Sequence, residues 1–418
     1  MGDVPQPGEP DPTGPGARGP GWPFSLEGFD LGQMLQALRS EGPLNWEVAR
    51  QVAGWVALGD RPEPTIDPTD RDHLVELAHA AQTLVVAETG LAATFAAQVE
   101  TVTPLGWTRL HLEALRPVLE ALASTLHRSM VELEDQVPGA EEPDLGEHPL
   151  LAGLGLGGAS LAGLLGTMAP LLLGVQAGSM VGYLAQHALG RYDLPLPAAD
   201  EPSLCFVVPN LDDFEQAWSL PRADLRFYVA VHEVVHAAER SVPWLRERLV
   251  GLATRYVAGY EIDPGAFEAE LGDLDPADPS SFAAVTEHPE RLLGAMQSPG
   301  QREVLAELQV LMAVIEGYAD SVLARIGDRM IPSFARIHEA MTRHRLERGE
   351  AERFIEGLLG LRLEREHYEQ GEAFCRGVAE RAGPEALNRL WEREEMLPTP
   401  SELEAPGLWL ARIELPDP

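Results

Sequence analysis

His232-Glu233-Val234-Val235-His236 is the stretch of this chain whose residue types and spacing bear most directly on chemistry. Two histidines four positions apart on a helix lie on adjacent turns of one face. Their imidazoles can then converge on one divalent cation while the intervening glutamate stands beside it. Such a site suits Zn2+, and Glu233 suits the role of general base toward an attacking water. Two packed core histidines are the ordinary alternative. The five-residue pattern is uncommon by chance, and its apolar surroundings favour the metal. The lead-in, Pro221 through Val231, puts a proline at the first helical turn, an aspartate soon after and apolar residues around the motif, so a buried helix is expected there.

A catalytic zinc takes three protein ligands and keeps one open position, so a third donor must come from elsewhere in the chain. Glu316 is the best candidate, because it interrupts the apolar helical run Leu308 to Ala319 and an isolated carboxylate is costly to bury without a partner such as a metal. Asp320 follows one turn later on the same face, where it could accept the free ring N–H of a ligating histidine and fix its tautomer. Glu239, Glu303, Glu307 and His288 compete as third ligands. Of these, Glu239 lies so near His236 on one helix that completing a tetrahedron is awkward.

HExxH followed by a helical ExxxD resembles the gluzincin arrangement. The longer wording is similar to a bacterial group of zinc-dependent metalloproteases, common in actinobacteria, described both as a domain of unknown function and as coenzyme F420 biosynthesis-associated. The segments that carry the likeness run from Gly178 to Gln186, Leu189 to Pro197, Phe206 to Asn210 and Leu225 to His236. Others are Pro243 to Arg246, Gly272 to Pro276, Glu316 to Asp320 and Gly360-Leu361. The likeness covers the chain from about Asn45 onward, with chemical specificity confined to the zinc motifs. It implies His232, His236 and Glu316 as zinc ligands, Glu233 as catalytic base, Asp320 as an outer partner of the site, and a mainly α, zincin-like metallopeptidase core with little β-structure. Thermolysin-like enzymes place ExxxD close behind HExxH. Here a long span intervenes, including the Pro/Asp-rich run Asp273 to Pro279, and it must hold helices and a lid-like insertion.

The chemistry expected is peptide-bond hydrolysis. Glu233 would take a proton from the attacking water and return it to the leaving amine, and a further electrophile would steady the oxyanion. Tyr318, His338, His344 and Arg345 are candidates for that last role, with ordinary packing or surface chemistry the preferred reading of each. Two other readings stand beside the hydrolase: a non-proteolytic zinc-binding or regulatory protein of the same fold, and a membrane-associated metalloprotease.

At 418 residues and 45% hydrophobic the chain can bury a sizeable core. Its 31 basic residues are all arginine, and a formal net charge of -35 argues against nonspecific nucleic-acid binding. The peptide or protein substrate that the zinc motif points to would sit more comfortably if basic or neutral than if acidic. Cys205 and Cys375 fit no metal spacing and read as small buried apolar residues.

Residues 1–22 are rich in Pro and Gly and lack the features of a secretory signal, so a disordered tail and a cytoplasmic protein are expected. Residues 23–145 read as an N-terminal helical bundle, with apolar periodicity from Trp46 to about Val137 and an acidic linker from Pro138 to Pro149. Residues 146–418 read as the zincin-like region, with Gly/Ala-rich buried helices and an acidic insertion at about 262–300. From Pro149 to Gly190 no Asp, Glu, Arg or Lys occurs, enough to span a bilayer. Pro170 and Gln176 interrupt the run, however, and no basic cluster flanks it, so buried core is the preferred reading. Leu204 to Pro209 is a strand or a buried loop; helices are expected from Glu350 to Trp391, and an irregular strap anchored by Trp409 from Leu397 onward.

Overall fold

The computed structural model describes residues 42–59, 61–91, 99–136, 161–198, 202–261, 298–346 and 349–414. The tail 1–22, the linker from Pro138 to Pro149 and most of the acidic insertion therefore lie outside the described residues. The fold is mainly α. Helix α1 (Trp46–Leu58) starts where the Asn45 side chain accepts from Val48 N, and α2 (Pro68–Thr89) starts at an Asp67 cap with proline in its first turn and ends at Gly90 in the left-handed region. Strand β1 (Val99–Val102) leads into α3 (Pro104–Ala114), capped by Thr103, and then α4 (Arg116–Gln136).

The charge-free run forms α5 (Leu161–Ala185), whose second half lies directly on α1. A Cβ at Gly174, Gly178 or Gly182 would meet the backbone oxygen of Asn45, Ala49 or Ala53, so one stripe of glycines sets the closeness of the two helices. Among the described residues no helix is long and apolar enough to cross a membrane.

Leu204 to Pro209 resolves into strand β2 (Leu204–Val207), paired in parallel with β1 in the register Val99 to Leu204 through Val102 to Val207. Gly190 forms an antiparallel bridge to Phe206 on β2. Strand β2, fully buried, leads into α6 (Val208–Trp218) and then α7 (Arg222–Arg240), the helix that carries the HExxH sequence. From Tyr228 to Arg240 every residue of α7 is buried, as befits a helix surrounded on all sides.

Three carboxylates pin its entrance. The wholly buried Arg226 guanidinium reaches Asp70 on α2 and Asp212 and Glu215 on α6, and Arg222 Nη2 donates to both oxygens of Asp70 at 2.8 and 2.9 Å.

Helix α8 (Pro243–Ala258) packs on α4, and the long α9 (Pro299–Met330) runs against α7, α8 and α12 (Arg365–Ala382). Helices α10 (Phe334–Leu346) and α11 (Glu350–Leu359) lie between α9 and α12 in the chain. The segment Pro384–Trp391 winds as a 3-10 helix, tighter than the α-helix its periodicity suggests. The expected strap is instead two short helices, α13 (Pro400–Glu404) and α14 (Pro406–Glu414). Trp409 is their anchor, fully buried, donating from Nε1 to Met396 O at 2.6 Å and meeting Phe374 edge-on. One continuous apolar core runs from Leu44 to Ile413 and takes in residues on both sides of the expected boundary near 145.

Candidate metal centre

Helix geometry brings His232 and His236 together, with ring centroids 4.6 Å apart and planes at 70°. Each nitrogen of His236 has a distinct setting. Nδ1 lies 2.8 Å from Glu239 Oε2, whereas Nε2 is buried with no hydrogen-bond partner. Burial raises the Glu239 carboxyl well above the usual carboxylate range, and a cation at the site would hold it ionised; in that form it accepts from Nδ1–H and leaves Nε2 a bare lone pair. Burial pushes the His236 imidazole well below its usual range, reinforced by His232, Arg240 and Arg345. A buried, neutral imidazole with an unused nitrogen is the form a metal binds.

Glu233 is fully buried and its carboxylate is cradled by main chain. Arg191 N donates to Oε2 at 2.8 Å, and Tyr192 N lies 3.0 Å from Oε1 and 3.2 Å from Oε2. Gly190 lies so close that a Cβ there would come within 2.9 Å of Oε2, and closer still to Cδ and Oε1. The cradle is itself fixed: Trp107 Nε1 donates to Gly190 O at 2.8 Å, Val207 N to Leu189 O, and Leu189 N to Asp193 Oδ2. Beneath it His111 stacks on Trp107 at 3.6 Å, with Nε2 3.3 Å from Arg191 O. Burial raises the Glu233 carboxyl above the usual carboxylate range, against the pull of His232 and the two N–H donors. A base with an elevated pKa is better matched to proton transfer near neutrality.

Glu316 is buried on α9, within electrostatic reach of His232 and Glu239. Its Oε2 is paired with Arg345 Nη1 at 3.3 Å, and the same guanidinium reaches Asp320 at 3.1 and 3.2 Å through Nη2. Asp320 therefore faces Arg345, and the carboxylate on a histidine ring nitrogen is Glu239. Among the described residues no three His, Cys, Asp or Glu side chains stand close enough together to hold a metal ion. The structure thus joins His232, Glu233 and His236, with Glu316 beside them in the arms of Arg345.

The donor set nevertheless suits a divalent cation. The carboxyls of Glu233, Glu239 and Glu316 gather around two imidazoles, and burial raises all three above the usual carboxylate range. A divalent cation beside the orphaned imidazole nitrogen would favour their ionised forms and balance them.

The remaining sequence candidates are dispersed. Glu303 and Glu307 are exposed on the first turns of α9, the latter paired with Arg248, and His288 lies outside the described residues. Tyr318 donates to Asn388 Oδ1 at 2.8 Å, and His344 Nε2 lies 3.3 Å from Asp193 Oδ2. Tyr228 hydroxyl and His338 Nδ1 are 2.9 Å apart. Arg345 alone of the four oxyanion candidates pairs with Glu316. Sequence reasoning missed the cradle from Gly190 to Tyr192 altogether. For Glu239 the signal was present as a Glu three residues beyond the second histidine.

A mainly α fold that buries HExxH on a central helix defines a zincin-like protein. Comparison with known proteins agrees: the zincin-like metallopeptidase family model matches residues 44–410, and the chain belongs to that family. Among solved structures it is similar to a proposed hydrolase with a novel fold from Chloroflexus aurantiacus. The two are 26% identical with a TM-score of 0.58, over 90% of this chain and 100% of that one. No curated protein matches it.

Proposed function

We propose that this protein is a zinc-dependent peptidase acting on a peptide or protein substrate in the cytoplasm, with His232, His236 and Glu316 as the metal's protein ligands and Glu233 as general base. The observation that carries the reading is the buried, unpartnered Nε2 of His236 beside His232 and Glu233 in a chain of the zincin-like metallopeptidase family. Both cysteines are free and buried, which suits a reducing compartment.

When bound, Zn2+ supplies Lewis-acid polarisation of the scissile carbonyl and acidifies a water. His232 and His236 contribute neutral imidazole nitrogens, and Glu316 contributes a carboxylate once it is shared with, or released by, Arg345. Glu233 takes the proton of the attacking water and passes it to the leaving amine. Its carboxylate is kept in one orientation by Arg191 N and Tyr192 N, so little reorganisation accompanies the transfer. The surrounding apolar side chains exclude bulk water and strengthen each of these interactions.

The Arg345 pairing of Glu316 gives some support to a second reading, a zinc-binding protein of this fold without proteolysis. One experiment separates the two. Glu233→Gln should keep stoichiometric zinc by elemental analysis and lose hydrolysis of a peptide library read by mass spectrometry, while His232→Ala and His236→Ala should lose the metal. Hydrolysis by Glu233→Gln at the wild-type rate, or a wild-type protein that takes up no zinc, would overturn the peptidase proposal.

A further inference from the structure

We infer that Glu239 is a positioning residue for the metal centre: its carboxylate sets the tautomer and ring orientation of His236, the role that sequence spacing suggests for Asp320. The inference rests on the zinc reading above and names the residue that makes one of its ligands competent.

The contact is local in sequence and unusual in setting. Residues three apart on a helix often pair at the surface, where the gain is small and nothing needs explaining. Glu239 has no exposed surface and His236 almost none, so both polar groups were desolvated to make a single 2.8 Å bond. Glu239 Oε1 is left without a partner, and so is His236 Nε2 on the far side of the ring. A hydrogen bond serving stability alone would be a poor use of so buried a carboxylate, since each unsatisfied buried polar atom is destabilising. The arrangement makes sense if Nε2 has a ligand, because a carboxylate on Nδ1–H raises the basicity of the opposite nitrogen and stops the ring from flipping.

Asp320 is not free to do this. Its two oxygens are 3.1 and 3.2 Å from Arg345 Nη2, on the side of the site occupied by α10. Glu316 is held by the same guanidinium. The charges around the site thus fall into two groups, with Glu239 orienting His236 and Arg345 ordering Glu316 and Asp320.

The test is zinc affinity of the full-length protein, measured by competition with a chromophoric chelator, together with the visible spectrum of the Co2+-substituted form. Glu239→Ala is expected to weaken zinc binding about 10–100-fold and to alter the Co2+ bands, because the ring loses its anchor. Glu239→Gln retains a carbonyl oxygen that accepts from Nδ1–H, so it should fold like the wild type and show a smaller loss with the same sense. A melting curve of each metal-free variant reports a purely structural role, which would lower the melting temperature without moving the spectrum. The inference is overturned if both Glu239 variants bind zinc within about twofold of the wild type with unaltered Co2+ bands while His236→Ala abolishes binding. If His232→Ala and His236→Ala bind zinc as well as the wild type, the metal reading itself has failed, and this inference with it.

Discussion

Replacing Gly190 by alanine tests whether the cradle beneath the catalytic carboxylate is as tight as its geometry implies. Gly190 is not in the left-handed region, so alanine brings no backbone strain and its whole effect comes from contact. The new methyl would sit within 2.9 Å of Glu233 Oε2 and nearer still to the carboxyl carbon, whereas ordinary contact needs about 3.5 Å. One partner must move by several tenths of an ångström or more. The Gly190 backbone resists, held by Trp107 Nε1 at its carbonyl and by the bridge to Phe206.

If Glu233 moves instead, it gives up its bonds from Arg191 N and Tyr192 N. Hydrogen bonds to a charged group contribute about 1.5–3 kcal/mol each, so losing both costs about 3–6 kcal/mol, less whatever the site recovers by relaxing. Denaturant unfolding of four proteins measures this: wild type, Gly190→Ala, Glu233→Ala and the double variant. The single glycine variant should lose about 3 kcal/mol or more, by the same reckoning. In the Glu233→Ala background the clash has no target, so the same substitution should cost under about 1 kcal/mol. An equal penalty in both backgrounds, or none in either, refutes the cradle argument.

Arg345→Gln should destabilise the protein by about 3–5 kcal/mol, because it leaves Glu316 and Asp320 poorly compensated beside Glu239, and Arg345→Lys should rescue little since one ammonium cannot reproduce the fork. Unchanged denaturation midpoints in both variants would refute that role. Burial pushes the His111 imidazole down to about 3. A histidine depressed on folding contributes stability that is complete above its unfolded pKa of about 6.5 and lost as pH falls from there toward 3. The contribution should be about 1.4 kcal/mol per pH unit across that window. His111→Phe keeps a ring on Trp107 and removes the titration, so its stability should fall less steeply between about pH 6 and 4. Identical slopes would show that His111 does not titrate as its burial implies.

Much of the site was legible because helical periodicity is a local property of the chain. Once Arg222 to Arg240 is a helix, its 3.6-residue turn places His232 and His236 on one face whatever the rest of the molecule does. The caps at Asn45, Asp67 and Ser298 are just as local, each a side chain bonding its own first turn, although the sequence reading did not single them out. The strand Leu204 to Val207 was ambiguous in isolation. A strand acquires its identity from a partner, here β1 some hundred positions earlier.

By itself, then, the chain determined where its helices begin, which face of α7 bears the imidazoles, and that the segment around Glu316 had to place a carboxylate among apolar neighbours. Only tertiary structure decided what those carboxylates touch. Asp320 was equally entitled by spacing to meet a histidine, yet α10 brings Arg345 to it, and Glu239 takes the ring nitrogen. Likewise nothing in the order of residues relates Gly190 to Glu233; the bridge to β2 and the Trp107 bond carry that glycine under the carboxylate. The physical reason is range. Backbone periodicity acts over a few residues, whereas pairing of buried charges depends on which distant elements share the same desolvated space, and that is set only when the core closes.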